Sequence, residues 1–258
     1  MIVIRGRLLT YGEVWFDEEP PGGSSVDLLL YRQRPTPVDG GSSEPFLSLA
    51  NDLTVDAQSL ITSFGSNNRY KINRANSKDA LEFDHLPDTR AVLDEFIAFF
   101  DDFARQKRIQ VAYRRGLDAA CGAGRLTLSA ARHNGERIVW HAHIVGRSAA
   151  VLLHSASHFR GKDSGERALV GRANRWLHWR DMLAFKGMGL TTYDWGGLFA
   201  DETVPEQATI NSFKREFGGR LHSTYNCMVG RTMKGRAYLA GHGVVSRLSS
   251  WRGGSNRI

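Results

Sequence analysis

Apolar and polar positions open the chain in the pattern of β structure. Val3 to Tyr11 and Val26 to Arg32 carry β-branched and aliphatic residues, and the turn-forming PPGGSS separates them. A second breaker cluster, RPTPVDGGSSEP, covers Arg34 to Pro45. Residues 1–50 hold too little apolar content for a core of their own, so they read as a β-rich extension, a hairpin or small sheet packed on the main fold. From Ser59 the period becomes helical. In NNRYKINRANSKD, Lys71, Arg74 and Lys78 share one helical face while Ile72 and Ala75 point elsewhere. Pro87, Asp88 and Thr89 give a helix start with Asp88 as cap. Beyond them Leu93, Phe96, Ile97, Phe100, Phe103 and Ala104 form a core-facing stripe, which is packing rather than a cofactor box.

Three strand-like runs follow: Arg125 to Arg132, Arg137 to Val145 and Ala149 to His158. Asn134-Gly135 is a strong hairpin signal between the first two, and Gly146-Arg147 turns the chain before the third. Leu169 to Lys186 then reads as a helix stopped by Gly187 and Gly189. Leu190 to Trp195 is a strand, Ile210 to Phe217 a short helix, and Leu221 to Val229 a last strand. The order β-β-β-α-β-α-β predicts an α+β fold with a mixed, mostly antiparallel sheet, one parallel pair coming from the strand–helix–strand crossover. The stretch after Gly241 is rich in Gly, Ser and Arg and reads as a flexible tail.

Composition narrows the function classes. In 258 residues there are two cysteines, so a disulfide framework is excluded and a reducing compartment expected. The N-terminal residues lack the layout of a secretory signal, and no apolar run is long enough to span a bilayer. These point to a cytoplasmic protein. A net charge of +7 favours an anionic partner without choosing one. There is no GxSxG, Walker loop, HExxH or paired CxxC. His141 and His143 share a strand face and offer alternative bases, while no third ligand is evident and no metal is assigned. Cys121 in CGAG would be a nucleophile only beside a histidine.

The segments GRANRWLHWRDMLAFKGMG, TTYDWGG and INSFKREFGG, in that order and spacing, resemble the FemAB-like branch of the GNAT-type acyltransferases. The upstream RYKINRA helix, the Phe-rich helix and the strand ending LLHSASHFR fit the same pattern, so the resemblance spans about residues 59 to 235. It implies a GNAT-like sheet with helices on both faces and one splayed parallel strand pair, in a transferase domain over 51–240 that forms a single lobe. It also implies amide formation between an activated acyl donor, acyl-CoA or aminoacyl-tRNA, and a small-molecule or peptide amine acceptor, with no tightly bound cofactor. Arg167 precedes Gly171-Arg172-Ala173 by one residue more than the usual coenzyme A loop, so both donors stay open.

On this resemblance the splayed strands expose backbone groups to the donor. Asp194, at a strand end before two glycines, would orient or deprotonate the acceptor or else hold the glycine turn. Lys214 would meet a donor phosphate or the oxyanion, with Tyr225 a proton donor and His143 an alternative base. Donor contacts fall to Ser155, Ser157, Arg160, Arg167, Gly171, Arg172, Ala173 and Phe213, the loop arginines facing phosphates. Acceptor contacts fall to Arg69, Lys71, Arg74, Trp179 and Tyr193. Two rivals remain: a non-catalytic module binding RNA or an acidic partner, and a hydrolase built on Cys121, His141 and His143.

Overall fold

The computed structural model describes residues 1–241 apart from 24, 87, 88 and 160. Arg160, the proposed Asp88 cap and the tail from 242 onward therefore lie outside the described residues. In chain order the elements are β1 (Ile2–Arg5), β2 (Thr10–Trp15), β3 (Leu28–Arg34), β4 (Ser42–Asp52), α1 (Ala57–Thr62), α2 (Ser66–Lys78), β5 (Glu82–Leu86), α3 (Leu93–Lys107), α4 (Arg114–Gly122), β6 (Leu126–His133), β7 (Glu136–Val145), β8 (Ala149–Ser157), α5 (Ser164–Gly187), β9 (Thr192–Gly197), α6 (Pro205–Arg215), β10 (Arg220–Gly230) and α7 (Met233–Gly241).

The strands form one ten-stranded sheet in the order β1-β2-β3-β10-β4-β9-β8-β7-β6-β5. The architecture is α+β, with a mostly antiparallel sheet and helices on both faces. It departs from expectation in holding two parallel pairs: β8 with β9, and also β2 with β3. The second pair escaped the sequence because the first strand-like run is split by the turn at Gly6–Leu9, where Gly6 N donates to Leu9 O. The N-terminal strands are members of this sheet rather than a layer laid on it. β10 inserts between β3 and β4, and β4 pairs in turn with β9. The breaker cluster is likewise shorter than its composition suggests, since Ser42 to Pro45 already pair with β10.

Each face of the sheet carries its own core. The α3 stripe is buried as predicted, and Phe96, Phe100 and Phe103 pack with Leu128, Trp140 and Val151 on one face. Burying each such ring contributes about 1.5–3 kcal/mol. α4, absent from the sequence reading, seals the same face through Leu117 and Ala120. On the other face α5 lies against Val139, Ala150 and Tyr193, with α2 packed beside it. Its N-terminus begins earlier than expected because Asp163 and Glu166 form a reciprocal capping box. At the hairpin, Asn134 and Gly135 take φ of 51° and 83°, the left-handed pair that this turn demands.

Candidate functional site

Three bulges shape the sheet centre. β8 and β9 pair at three positions only, ending at Val151↔Asp194, and then separate. Just past that point Leu153 is an extra residue on β8, since Leu152 opposes His143 and His154 opposes Ala142. On β9, Trp195 and Gly196 together oppose Leu49 of β4. Gly196 has a φ of 70°, open to glycine without strain, and its N–H turns back to Asp194 Oδ1 at 2.7 Å. On β3, Arg32 and Gln33 oppose Asn226 of β10, and Gln33 has a φ of 55°. Its N–H donates to Asn226 Oδ1 at 3.1 Å.

These bulges collect polar side chains on the sheet face covered by α3 and α4. Asp194 is 1% exposed and accepts from Gln33 Nε2 at 3.2 Å and Ser48 Oγ at 2.7 Å, besides Gly196. The carboxylate is thus held by three donors and stands behind Gln33 rather than open to a substrate. Its expected bond to the glycine turn is present. His222, half exposed, sets Nδ1 3.7 Å from Asp194 Oδ2. The Asp194 carboxylate raises the imidazole above its ordinary value against partial burial. At 3.7 Å the contact is longer than a hydrogen bond, so charge attraction carries it.

Lys214 comes to the same strand end from α6. It is 2% exposed and donates to Gly197 O at 2.8 Å, with two further N–H groups on the same nitrogen. Burial lowers it to about 8, opposed by the charge of Asp194. The structure therefore gathers Asp194 and Lys214 at the mouth of the splayed pair.

A cavity of about 490 Å³ opens on this face. Its inner wall holds Gln33, Asn226 and His154, and its outer parts hold Arg7 and Arg115. It reaches Val151, the last β8 residue paired with β9, and Leu152 to His154, the stretch released beyond it. The volume lies within the usual range of small-molecule sites.

Other predicted residues are placed elsewhere. Tyr193 and His143 point to the α5 face, fully buried, where Tyr193 Oη meets His178 Nδ1 at 2.9 Å and His143 Nε2 at 3.2 Å. Desolvation lowers His143 to about 3 and lifts Tyr193 well above its ordinary value. Neither is open to substrate, because strand alternation turns 193 away from the face that 194 serves. Tyr225 packs beside Val14 and Tyr31 in a third cluster, on the face opposite its neighbour Asn226. Trp179 packs edge-on against Phe64 at 5.7 Å. Phe213 stacks under Arg175, whose guanidinium lies 4.8 Å from the ring.

The expected phosphate loop is not a loop. Gly171, Arg172 and Ala173 lie two turns inside α5, their N–H groups within the helix. Arg172 is committed to Asp79 by two bonds of 2.6 and 2.9 Å, and Ala173 is core. Arg167 donates to Lys162 O at 3.1 Å. Ser155 Oγ reaches Asn174 Oδ1 at 3.4 Å, and Ser157 is buried. Arg69 satisfies the carbonyls of Thr62 and Phe64 at the end of α1, which removes it from the acceptor set. Lys71 is half-buried and Arg74, exposed, contacts Tyr70 Oη at 3.4 Å.

His141, His178 and Asp181 bring ligand-type atoms within 4.8 Å of one another on the α5 face. The two rings are stacked, with centroids 4.0 Å apart and planes 30° apart, so their in-plane lone pairs do not converge on one ion. His141 Nδ1 instead meets Asp181 at 2.7 Å, an internal hydrogen-bond network. Cys121 lies on α4, across the sheet from His141, and its sulfur accepts from Thr89 Oγ1 at 2.9 Å. The hydrolase reading loses its pairing. Sequence reasoning missed Gln33, Ser48, Asn226 and His222. A signal existed for one set, since His222, Thr224 and Asn226 alternate as polar positions along a predicted strand.

No family model matches the chain, and no curated protein is similar to it at the level of sequence. Solved structures do share the fold. The FemX crystal structure is similar with a TM-score of 0.59 at 13% identity, covering 75% of this chain and 63% of FemX. The C-terminal domain of a putative lysylphosphatidylglycerol synthetase from Agrobacterium fabrum gives 0.52 at 12% identity, covering 83% of this chain and 72% of that one. L-PGS from Bacillus licheniformis gives 0.50 at 13%, covering 83% and 71%. The chain therefore shares its fold with FemX and with the two lysylphosphatidylglycerol synthetase structures.

Proposed function

We propose that this FemAB-like chain transfers an acyl or aminoacyl group from an activated carrier to an amine, forming an amide. The carrying observation is the separation of β8 from β9 just past Val151↔Asp194, with a cavity opening onto the gap. The edges of β8 and β9 beyond that point do not pair with each other, so an extended donor can lie between them and meet an acceptor held in the cavity. In the transfer the amine nitrogen attacks the acyl carbon, the new C–N bond forms, and the bond to the carrier oxygen or sulfur breaks. The proton lost by nitrogen passes to a base and then to the departing atom. His222, backed by Asp194, supplies the base, and the free N–H groups of Lys214 supply positive charge to the oxyanion.

The start of α5 favours a donor carried on RNA over acyl-CoA. A diphosphate would seek free N–H groups and the positive helix end there. In this chain Asp163 and Glu166 already occupy that position with two carboxylates. Arg74 and Lys78 are meanwhile exposed on α2, which packs beside α5.

Incubation of the protein with charged tRNA or acyl-CoA and a panel of amines, followed by mass detection of amide products, tests this. Amide formation from charged tRNA, weakened steeply by salt, is expected. Transfer from acyl-CoA with stabilisation by coenzyme A would overturn the choice of donor. Consumption of neither donor above background would overturn the transferase reading.

A further inference from the structure

We infer that the cavity takes a small amine that also carries an anionic group, a carboxylate or a phosphate. The inference rests on the transferase reading for its purpose but on separate atoms for its content. Two polar atoms at the cavity wall are buried without a hydrogen-bond partner among the described residues: Gln33 Oε1 and Trp15 Nε1. An orphaned buried acceptor forfeits its desolvation cost unrepaid, so a fold that keeps one beside open space gains by filling it with a donor.

Gln33 is also fixed in orientation. Its Nε2 is bound to Asp194 and its backbone to Asn226, at a bulge with left-handed φ. Because Nε2 must donate to a carboxylate, Oε1 is the atom presented to the cavity, and an acceptor oxygen selects an N–H from the ligand. Strain at that backbone position is maintained by the surrounding packing, as at many ligand clamps.

The cavity wall also carries positive charge. Arg7, in the turn between β1 and β2, and Arg115, in the first turn of α4, both line it and are exposed. Neither has a hydrogen-bond or ion-pair partner among the described residues. The remaining guanidinium of the wall is different, since Arg32 is tied to Glu13 at 3.1 Å. Two unengaged guanidiniums from separate elements, facing one cavity, suit a bidentate oxyanion. The cavity therefore reads an amine at Gln33 and a negative group at Arg7 and Arg115.

Titration calorimetry on the full chain, with no acyl donor present, tests this. The probes are O-phosphoethanolamine and 4-aminobutyrate, each bearing both groups, against ethanolamine and butyrate, each bearing one. Both two-group probes are expected to bind more tightly than either single-group probe. The double variant Arg7→Ala/Arg115→Ala should weaken the two-group probes by roughly ten- to hundredfold and leave ethanolamine unchanged. Gln33→Leu should weaken every amine and leave butyrate unchanged. Preference for O-phosphoethanolamine over 4-aminobutyrate would assign the anion as phosphate, and the reverse as carboxylate. Equal binding of ethanolamine and the two-group probes, an unaffected double variant, or no saturable binding of any probe would each overturn the inference. Tight, arginine-dependent probe binding without amide formation from any donor would retain it while refuting the transferase reading.

Discussion

Gln33 Nε2 donates to Asp194 Oδ1 across 161 positions of sequence, joining the bulge of β3 to the end of β9 behind the cavity wall. The bond decides what each residue does. Asp194 becomes a holder of neighbours, and Gln33 becomes the residue that meets the cavity.

Gln33→Leu should lower stability by about 1–3 kcal/mol, because a buried carboxylate loses one of its donors. Gln33→Glu should cost more, by setting a second carboxylate against Asp194. Urea unfolding followed by circular dichroism measures both. A leucine variant as stable as the wild type would show that the bond contributes nothing.

Lys214 offers two readouts with distinct pH dependence. Lys214→Met leaves Gly197 O without its buried donor, and a loss of about 1–3 kcal/mol is expected. The folded-state value near 8 lies below the ordinary 10.5, so the wild type should gain stability on the methionine variant as pH rises from 8 toward 10.5. Any transfer rate that needs the ammonium should instead fall as pH rises through about 8. A rate flat from pH 7 to 9 would remove Lys214 from the chemistry.

Three buried histidines should make the fold labile to mild acid. Desolvation holds His143 near 3 and His154 near 4, and pushes His178 well below its ordinary value. All three are neutral when folded, whereas the unfolded chain takes up protons below about 6.5. Their contribution is therefore intact above that pH and declines progressively as pH falls toward 4. By pH 5 each accounts for up to about 2 kcal/mol, and the sum is smaller because His143 and His178 share one network. His154, on the opposite sheet face against Phe96 and Phe100, provides the separable case. His154→Leu should flatten the slope of stability between pH 7 and 5.

The α2 face should govern RNA association and leave folding alone. Replacing Lys71, Arg74 and Lys78 by glutamate should weaken tRNA binding uniformly across sequences. It should also reduce the slope of log affinity against log salt by about three, one for each phosphate that the variant no longer neutralises. Filter binding across a salt series measures it. Asp163→Ala at the start of α5 should cost about 1 kcal/mol through removal of the cap. An unchanged salt slope in the triple variant would place the RNA elsewhere.

Much of the scaffold was legible from local pattern. The stripe from Leu93 to Ala104 repeats every three to four residues and buries as that period requires. Asn134-Gly135 sets its hairpin through backbone geometry alone. The strand–helix–strand order around α5 announced the parallel pair β8 and β9, and the glycines after Asp194 marked a strand end. All are short-range effects, which residues within a few positions can specify.

The site depended on longer range. Alternation along a strand assigns faces correctly until a bulge adds a residue, and Leu153, Gln33 and Gly196 each reset it. Arg172 and Arg69 looked like phosphate or acceptor ligands because sequence shows their charge and hides Asp79 and the carbonyls of α1 that absorb it. Gln33 carried no local signal, since its partners arrive from β9 and β10. Sequence by itself set the α3 stripe, the hairpin turn and the crossover. Only the folded sheet chose which polar groups would face one another, because burial forces each to find a partner wherever the chain brings one.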